Sequence, residues 1–338
     1  MDNPVLVEVR RGALVESRHC GRLAIVDADG RLVLALGDVE APVFGRSAVK
    51  ALQALPLVES GIADRLGLTP AEIALACASH NGEAAHVATA RGMLAKAGQD
   101  ESVLECGPQW PERRADVAAL DRAGQGPGAI HNNCSGKHAG FVCLACGLGV
   151  EPRGYVAAAH PVQEAVRQAL SDVTATPLDA DNRGIDGCSI PTFAIPLKNL
   201  AFGFAKFGTG AGLAPERAKA ARRIRRAVAA NPFLVAGTHR FCTDVMSAFG
   251  ERAFVKTGAE GVFCATFPES GFGVALKIDD GGTRASEAVM AAVAERMLGD
   301  ASRKVLSRWA DAEIRNRNGW TVGSVRASDG LTAALGDM

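Results

Sequence analysis

Three short motifs constrain this chain more than any other feature. In chain order they are SAVK at residues 47–50, SHN at residues 79–81 and KTG at residues 256–258. They correspond to SxxK, SxN and KTG, and this order is typical of serine hydrolases that use a lysine where other serine hydrolases use a histidine. Each pattern occurs once in the sequence. The ordered set therefore predicts an amide hydrolase with a Ser/Lys centre.

The first motif places a nucleophile beside a base. Ser47 and Lys50 are three residues apart, so on a helix they would project from the same face. Serine attacks only when a base takes its proton, which requires a neutral lysine. The site must then lower the pKa of Lys50 by roughly three units from about 10.4. A second cation nearby would lower this pKa by charge repulsion, and we expect Lys256 to supply that charge. We also expect Ser79 to face Lys256, which would form a second Ser–Lys pair. Taken singly, Ser47 also fits an ordinary helix-capping serine and Lys50 a surface lysine.

The hydrophobic pattern predicts an α+β fold with strands at both ends of the chain and helices between them. Apolar runs at residues 5–9, 23–26 and 32–36 predict strands, with a hairpin turn at residues 27–30. A capping box that begins at Thr69 predicts a helix start, and helices are also expected at residues 83–96, near Ser135 and at residues 286–298. Three further strands are predicted at residues 254–256, 262–267 and 272–278. We interpret the chain as a single catalytic domain, with two lobes allowed.

Composition limits the partners of this protein. The 338 residues carry 37 basic and 37 acidic side chains, so no net charge favours nucleic acid or an anionic membrane. The basic stretch at residues 217–226 has interleaved apolar positions and predicts a helix with a solvated face. No segment has the length or apolarity of a membrane span or signal peptide. We therefore expect a cytoplasmic protein whose nine cysteines are thiols or metal ligands.

The segment HNNCSGKH at residues 131–138 predicts a metal site. By spacing alone, zinc could take Cys134 and His138, one helical turn apart, with a third ligand from elsewhere such as Cys188. The CxxC at residues 143–146 lies in an apolar helical run and is interpreted as core packing. The single tyrosine, Tyr155, lies outside the three motifs, which argues against a tyrosine base.

Together these segments resemble the class 3, rhizobial-type L-asparaginases of the L-asparaginase II family. The resemblance rests on the three motifs and on two further runs, CSGKH at residues 134–138 and DGC at residues 186–188. It covers nearly the whole chain. It implies a fold similar to serine β-lactamases and glutaminases, a homodimer, and hydrolysis of L-asparagine to L-aspartate and ammonia.

The resemblance also implies roles for individual residues. It makes Ser47 the nucleophile with Lys50 as its partner, and Ser79 with Lys256 a second dyad. It implies a zinc ion held by a set that differs from the one that spacing suggests, namely Cys134, Lys137 and Cys188. Four residues match positions that the family keeps around its substrate: Arg46, His138, Asp186 and Cys242.

Two alternatives remain open from the sequence. The nearer one is a glutaminase or another Ser/Lys amidase of the same fold, which differs in substrate preference. The other is a non-catalytic, zinc-dependent binding protein in which the Ser/Lys motifs are structural. An acylating reagent would label Ser47 in the enzyme and leave the binding protein unmarked.

Overall fold

The computed structural model describes residues 2–338. The chain divides into two compact units. The first, here called the sheet unit, consists of residues 2–48, 195–209 and 252–338. The second, the helical unit, consists of residues 49–194 and 210–251.

The strands are short to medium in length and fall mainly at the two ends of the chain. In order they are β1 (Val5–Arg11), β2 (Leu14–Asp27), β3 (Leu32–Leu36), β4 (Pro42–Phe44), β5 (Arg183–Ile185), β6 (Pro191–Pro196), β7 (Phe254–Thr257), β8 (Val262–Phe267), β9 (Phe272–Ile278), β10 (Asp311–Arg315) and β11 (Thr321–Ala327).

The helices occupy most of the middle of the chain. In order they are α1 (Lys50–Gln53), α2 (Leu55–Glu59), α3 (Ile62–Arg65), α4 (Pro70–Ala76), α5 (Ala84–Lys96), α6 (Arg114–Arg122), α7 (Ser135–Leu148), α8 (Pro161–Thr174), α9 (Leu197–Thr209), α10 (Pro215–Ala230), α11 (Pro232–Ala236), α12 (Phe241–Phe249), α13 (Thr283–Leu298), α14 (Arg303–Ala310) and α15 (Asp329–Gly336). A 3₁₀ helix, Arg46–Val49, precedes α1.

The sheet unit is built on an antiparallel sheet. Within residues 2–338 this sheet has eight strands, in the order β10-β11-β1-β2-β9-β8-β7, with β3 also paired to β2. Helix α9 packs against β9 and β2, and α13 packs against β11 and β1. All six residues of β8 are buried, as expected of a strand covered on both faces.

The helical unit is organised around α7. Its residues from Ser135 to Ala145 are all buried, and a helix that is buried all round is typical of a domain centre. Helices α4, α5 and α2 pack against it. Cys143 is fully buried within it, which confirms that this part of the CxxC serves packing.

Most of the predicted elements are present. The α+β class, with an antiparallel sheet and flanking helices, is confirmed, as is the capping box of Thr69 at the start of α4. The basic segment forms α10, and its Arg217 pairs with Glu59 and Asp172. Strands β10 and β11 were not predicted. None of the helices formed by residues 2–338 combines the length and apolar character needed to cross a membrane.

Candidate active site

Ser47 lies in a sharp turn between a strand and a helix of the sheet unit. β4 ends at Phe44, and the 3₁₀ helix that contains Ser47 begins two residues later. Arg46 has a φ of 48°, a left-handed conformation that costs energy for a residue with a side chain. The Ala48 N–H closes the turn by donating to the Gly45 carbonyl at 3.1 Å. Backbone strain of this kind is concentrated at functional sites, and here it directly precedes a half-buried serine.

The KTG motif packs directly against this turn. Lys256 is the third residue of β7, is 1% exposed, and donates from Nζ to the Thr257 carbonyl at 2.9 Å. A Cβ added to Gly258 would lie 3.2 Å from both the Gly45 oxygen and the Ala48 nitrogen. A side chain at this position would require the facing backbone to shift by a few tenths of an ångström, so glycine favours the close approach of the two backbones. The prediction that Lys256 lies on a strand is confirmed.

Lys50 is buried in the helical unit with polar partners around its side-chain nitrogen. It is 1% exposed, and its Nζ donates to Ser79 Oγ at 2.8 Å, to Cys134 Sγ at 3.1 Å and to the Ala78 carbonyl. Ser79 is itself held by its backbone N–H, which donates to the Val235 carbonyl at 2.9 Å. The structure thus brings Lys50 together with Ser79.

The two Ser–Lys pairs named from the sequence are each divided between the units. Ser47 and Lys256 belong to the sheet unit, and Lys50 and Ser79 to the helical unit. The assignments of Ser47 to Lys50 and of Ser79 to Lys256 stay predictions.

Burial lowers the pKa of Lys50. Removal of water disfavours the charged ammonium, and the nearby positive charge of Lys137 acts in the same direction. The negative charge of Cys134 opposes both effects but does not cancel them. The helical unit therefore supplies its own repelling cation, Lys137, which sequence reasoning did not assign to this role. A lysine in such a setting is suited to act as a base.

Helices α4 and α7 approach closely enough to bring these groups into contact. A Cβ on Gly136 would lie 2.4 Å from the Leu75 carbonyl oxygen, a distance that no side chain tolerates. Gly136 lies between two of the predicted metal ligands, and Leu75 lies four residues before Ser79. The absence of a side chain at Gly136 therefore sets the spacing between the Ser79 segment and the start of α7.

The three predicted zinc ligands form one buried cluster. Cys134 stands at the N-terminus of α7 and is 5% exposed, and Cys188, in the turn between β5 and β6, is 3% exposed. Lys137 Nζ donates to Cys188 Sγ at 2.9 Å. The two thiols are hydrogen-bonded to each other, and Asn133 Oδ1 lies 2.9 Å from Cys134 Sγ.

Charge is unevenly shared within this cluster. A hydrogen bond from Cys188 and the positive charges of Lys137 and Lys50 hold the pKa of Cys134 well below its usual range. The same hydrogen bond and burial raise the pKa of Cys188. Burial alone would lower the pKa of Lys137, but its electrostatic interactions with Cys134 and Cys188, which include the hydrogen bond to Cys188, outweigh burial and raise that pKa. The lowered pKa of Cys134 therefore favours its thiolate form beside the amines of Lys137 and Lys50.

The chemistry of this donor set suits zinc. Two thiolate sulfurs and an amine nitrogen are ligands of the soft and borderline type that zinc accepts, and all three already converge on one another. Within residues 2–338, no three side chains of His, Cys, Asp or Glu gather as a metal site. Any zinc held here would consequently depend on the amine of Lys137 as a ligand.

The four residues predicted to contact substrate differ in setting. Arg46 and Asp186 are half-buried, and the Asp186 N–H donates to the Ile190 carbonyl across the turn that carries Cys188. Cys242 is 1% exposed in the first turn of α12, and His138 is fully buried in α7. Burial and the charges of Lys137 and Lys50 lower the pKa of His138 well below its usual range.

Sequence reasoning missed two residues that organise this region. Asn132 Oδ1 accepts the Cys134 N–H at 2.8 Å and orients the start of α7. Tyr155, set aside as lying outside the motifs, has its hydroxyl 2.6 Å from His138 Nδ1. An Asn that accepts the backbone N–H two residues later is a recognisable turn signal, whereas nothing local to Tyr155 indicated its partner.

A family profile now classifies the chain. The profile described as L-asparaginase II matches residues 7–327, nearly the full length. Together with a buried lysine hydrogen-bonded to a serine, this match defines an amidohydrolase. The chain belongs to the L-asparaginase II family. No curated protein matches it at a significant level.

Several solved structures are similar to this one at low sequence identity. A β-lactamase from Mycobacterium bovis is 13% identical, with 79% of this chain and 89% of that chain covered and a TM-score of 0.38. A β-lactamase candidate from Bacteroides dorei is 14% identical, with 94% and 92% covered and a TM-score of 0.39. The protein Mglu is 16% identical, with 88% and 66% covered and a TM-score of 0.39.

Proposed function

We propose that this protein hydrolyses L-asparagine to L-aspartate and ammonia through a serine nucleophile and a lysine base. The observation that carries the proposal is the environment of Lys50, which is buried, has a lowered pKa and is hydrogen-bonded to a serine hydroxyl. Membership of the L-asparaginase II family supports the choice of substrate.

The reaction divides into acylation and deacylation. Lys50 takes the hydroxyl proton of Ser47, whose Oγ bonds to the side-chain carbonyl carbon of asparagine. The C–N bond then breaks, and the leaving nitrogen departs as ammonia after receiving the proton from Lys50. Water attacks the resulting ester with help from Ser79 and Lys256, releasing aspartate and restoring Ser47. Backbone N–H groups of the strained turn at Arg46 are the expected oxyanion donors.

We assign Cys134, Lys137 and Cys188 as the residues that hold zinc. When bound, the metal supplies a Lewis-acidic centre that orients the polar groups of the amino acid. Of the remaining residues, Arg46 offers a charged donor to the substrate carboxylate, and Asp186 offers an acceptor to its ammonium group. We also assign substrate contacts to His138 and Cys242, both of which are buried.

We further propose that the enzyme is a cytoplasmic homodimer that binds a small molecule rather than nucleic acid or membrane. None of the nine cysteines forms a disulfide within residues 2–338, which suits a reducing compartment. The dimer is supported by the resemblance to the rhizobial-type enzymes. Sedimentation of the purified protein tests it.

The proposal is tested by measuring ammonia release from L-asparagine and L-glutamine. Wild type is compared with Ser47→Ala, and with Ser307→Ala as a control at an exposed serine. Activity on asparagine that is lost only in Ser47→Ala supports the proposal. Preference for glutamine would assign the chain to glutaminases. No ammonia from either substrate in zinc-supplemented buffer would favour the zinc-dependent binding protein.

A further inference from the structure

The hydroxyl of Tyr155 occupies a defined place between two polar groups. Tyr155 is fully buried and is the only tyrosine in the chain. Its oxygen accepts the backbone N–H of Glu105 at 2.9 Å and lies 2.6 Å from His138 Nδ1. Burial raises the pKa of Tyr155, so the group stays a phenol with one hydrogen to donate. It is therefore a donor and acceptor in a fixed network rather than a base.

One tautomer of His138 leaves fewer buried hydrogen-bonding groups without a partner than the other. If Nε2 carries the ring proton, the phenol donates to Nδ1 and only the Nε2–H is left without a partner. If Nδ1 carries it, both the phenol hydrogen and the Nε2 lone pair are left unpaired. Each buried polar group without a partner costs roughly 1–3 kcal/mol. The arrangement around Tyr155 consequently favours the tautomer with the proton on Nε2.

The remaining Nε2–H has no partner of its own. His138 is fully buried, and among residues 2–338 its Nε2 has no hydrogen-bond acceptor. The charges of Lys50 and Lys137 act on the ring, so it belongs to the same buried cluster. A buried donor left open beside two lysine amines points to an acceptor that arrives with a ligand, and an oxygen with negative charge suits this setting best.

We propose that Tyr155 is a positioning residue that holds His138 in the Nε2–H tautomer, so that the imidazole donates to a carboxylate or amide oxygen of the amino-acid substrate. The inference rests on the proposed function for the identity of the ligand and on the structure alone for the tautomer. Tyr155 itself touches neither substrate nor the reacting atoms. Its effect is on affinity, because a misplaced donor weakens binding of the substrate oxygen.

The tautomer is measured directly by ¹H–¹⁵N NMR of protein labelled at histidine. His138→Gln identifies the resonances of His138 among the seven histidines. We expect a proton on Nε2 and none on Nδ1 in wild type, and a loss of this single state in Tyr155→Phe. Phe141→Leu is the matched control, since Phe141 packs on both rings without hydrogen bonding to either. It should lower stability and leave the tautomer unchanged.

Ligand binding gives the second readout. Saturating L-aspartate, the expected product, should shift the His138 Nε2 resonance in wild type. Tyr155→Phe should raise KM for L-asparagine by about tenfold, equivalent to about 1.4 kcal/mol, with a smaller change in kcat. Gln carries an amide that donates without a tautomer. In the His138→Gln background, Tyr155→Phe should therefore raise KM no further. If the role of Tyr155 were purely structural, its effect on KM would instead be the same in both backgrounds.

Each outcome decides one part of the inference. An unchanged Nε2–H tautomer in folded Tyr155→Phe overturns the positioning role. A wild type that releases ammonia but shows no Nε2 shift with L-aspartate overturns the donor role. A wild type that releases no ammonia overturns the proposed function instead, and the tautomer result then still decides whether Tyr155 positions His138.

Discussion

Lys50 Nζ donates a 2.8 Å hydrogen bond to Ser79 Oγ, a residue 29 positions further along the chain. Both groups are buried, at 1% and 6% exposure. The bond places a lysine of lowered pKa against a serine hydroxyl inside a single structural unit.

Removing the amine of Lys50 should abolish activity. We expect Lys50→Met and Lys50→Arg each to lower kcat/KM for L-asparagine by about 10³-fold, since neither side chain can accept a proton near neutral pH. Lys219→Met is the control, because Lys219 is an exposed lysine. Steady-state kinetics provide the measurement. Substantial activity in a folded Lys50→Arg would contradict the role of Lys50 as a base.

Activity should rise with pH on the acidic side of the optimum. Only neutral Lys50 can take a proton, and its lowered pKa means that the neutral fraction grows below the pH at which an ordinary lysine titrates. The acidic limb of the pH profile of kcat/KM measures this titration. A limb whose midpoint lies at the ordinary lysine value, or a rate independent of pH there, would argue against Lys50 as the titrating base.

Loss of Cys188 should affect substrate binding more than turnover. We expect Cys188→Ala to lose bound zinc and to raise KM by roughly tenfold, or about 1.4 kcal/mol, with kcat changed only a few-fold. Cys143→Ala removes a buried thiol that serves packing in α7 and should retain metal and KM. Metal content and kinetics are measured together. A large fall in kcat at constant KM would indicate instead a direct chemical role for the metal.

A methyl group at Gly258 should disturb the Ser47 turn. The added Cβ would press on the backbone of Gly45 and Ala48 at 3.2 Å. We expect Gly258→Ala to destabilise the protein by about 1–3 kcal/mol and to lower kcat by roughly 10²-fold through misplacement of the nucleophile. Gly126→Ala meets open space and serves as the control. Wild-type kcat in Gly258→Ala would show that the turn tolerates displacement.

Glu83 should stabilise the protein at neutral pH and lose this effect in acid. Burial alone would raise its pKa, but hydrogen bonds from Thr238, Arg113 and Asn81 outweigh burial and lower it from 4.5 to about 2. The stabilisation, roughly 3 kcal/mol, is present above pH 4.5 and disappears as pH falls toward 2. Glu83→Gln should therefore unfold more easily than wild type at pH 7, and the difference in free energy of unfolding should shrink to about 1 kcal/mol at pH 2.5.

Denaturant unfolding at several pH values measures this difference. Glu112→Gln alters an exposed carboxylate nearby and should follow wild type throughout. If wild type and Glu83→Gln differed by a constant free energy of unfolding across the acid range, the stabilisation would not depend on ionisation of Glu83.

Sequence patterns predicted the helix and strand boundaries that are set by residues close together in the sequence. The capping box at Thr69, the strand ending at Thr257 and the helix starting at Ser135 are each specified by side chains within a few positions. Strands β10 and β11 escaped prediction because they carry little apolar alternation of their own. Strand β11 joins the sheet by pairing with β1, more than 300 residues earlier in the chain, and β10 pairs only with β11.

For the candidate site, the sequence alone determined which chemical groups are present, namely the Ser/Lys motifs and the run of Cys and Lys residues at the start of α7. Only the tertiary structure decided which of them meet. It placed Lys50 against Ser79, Lys137 against Cys188, and Tyr155 against His138. The physical reason is the separation in sequence of the residues that interact. Helix and strand preferences come from contacts within a few residues, whereas these side chains meet through the packing of distant segments.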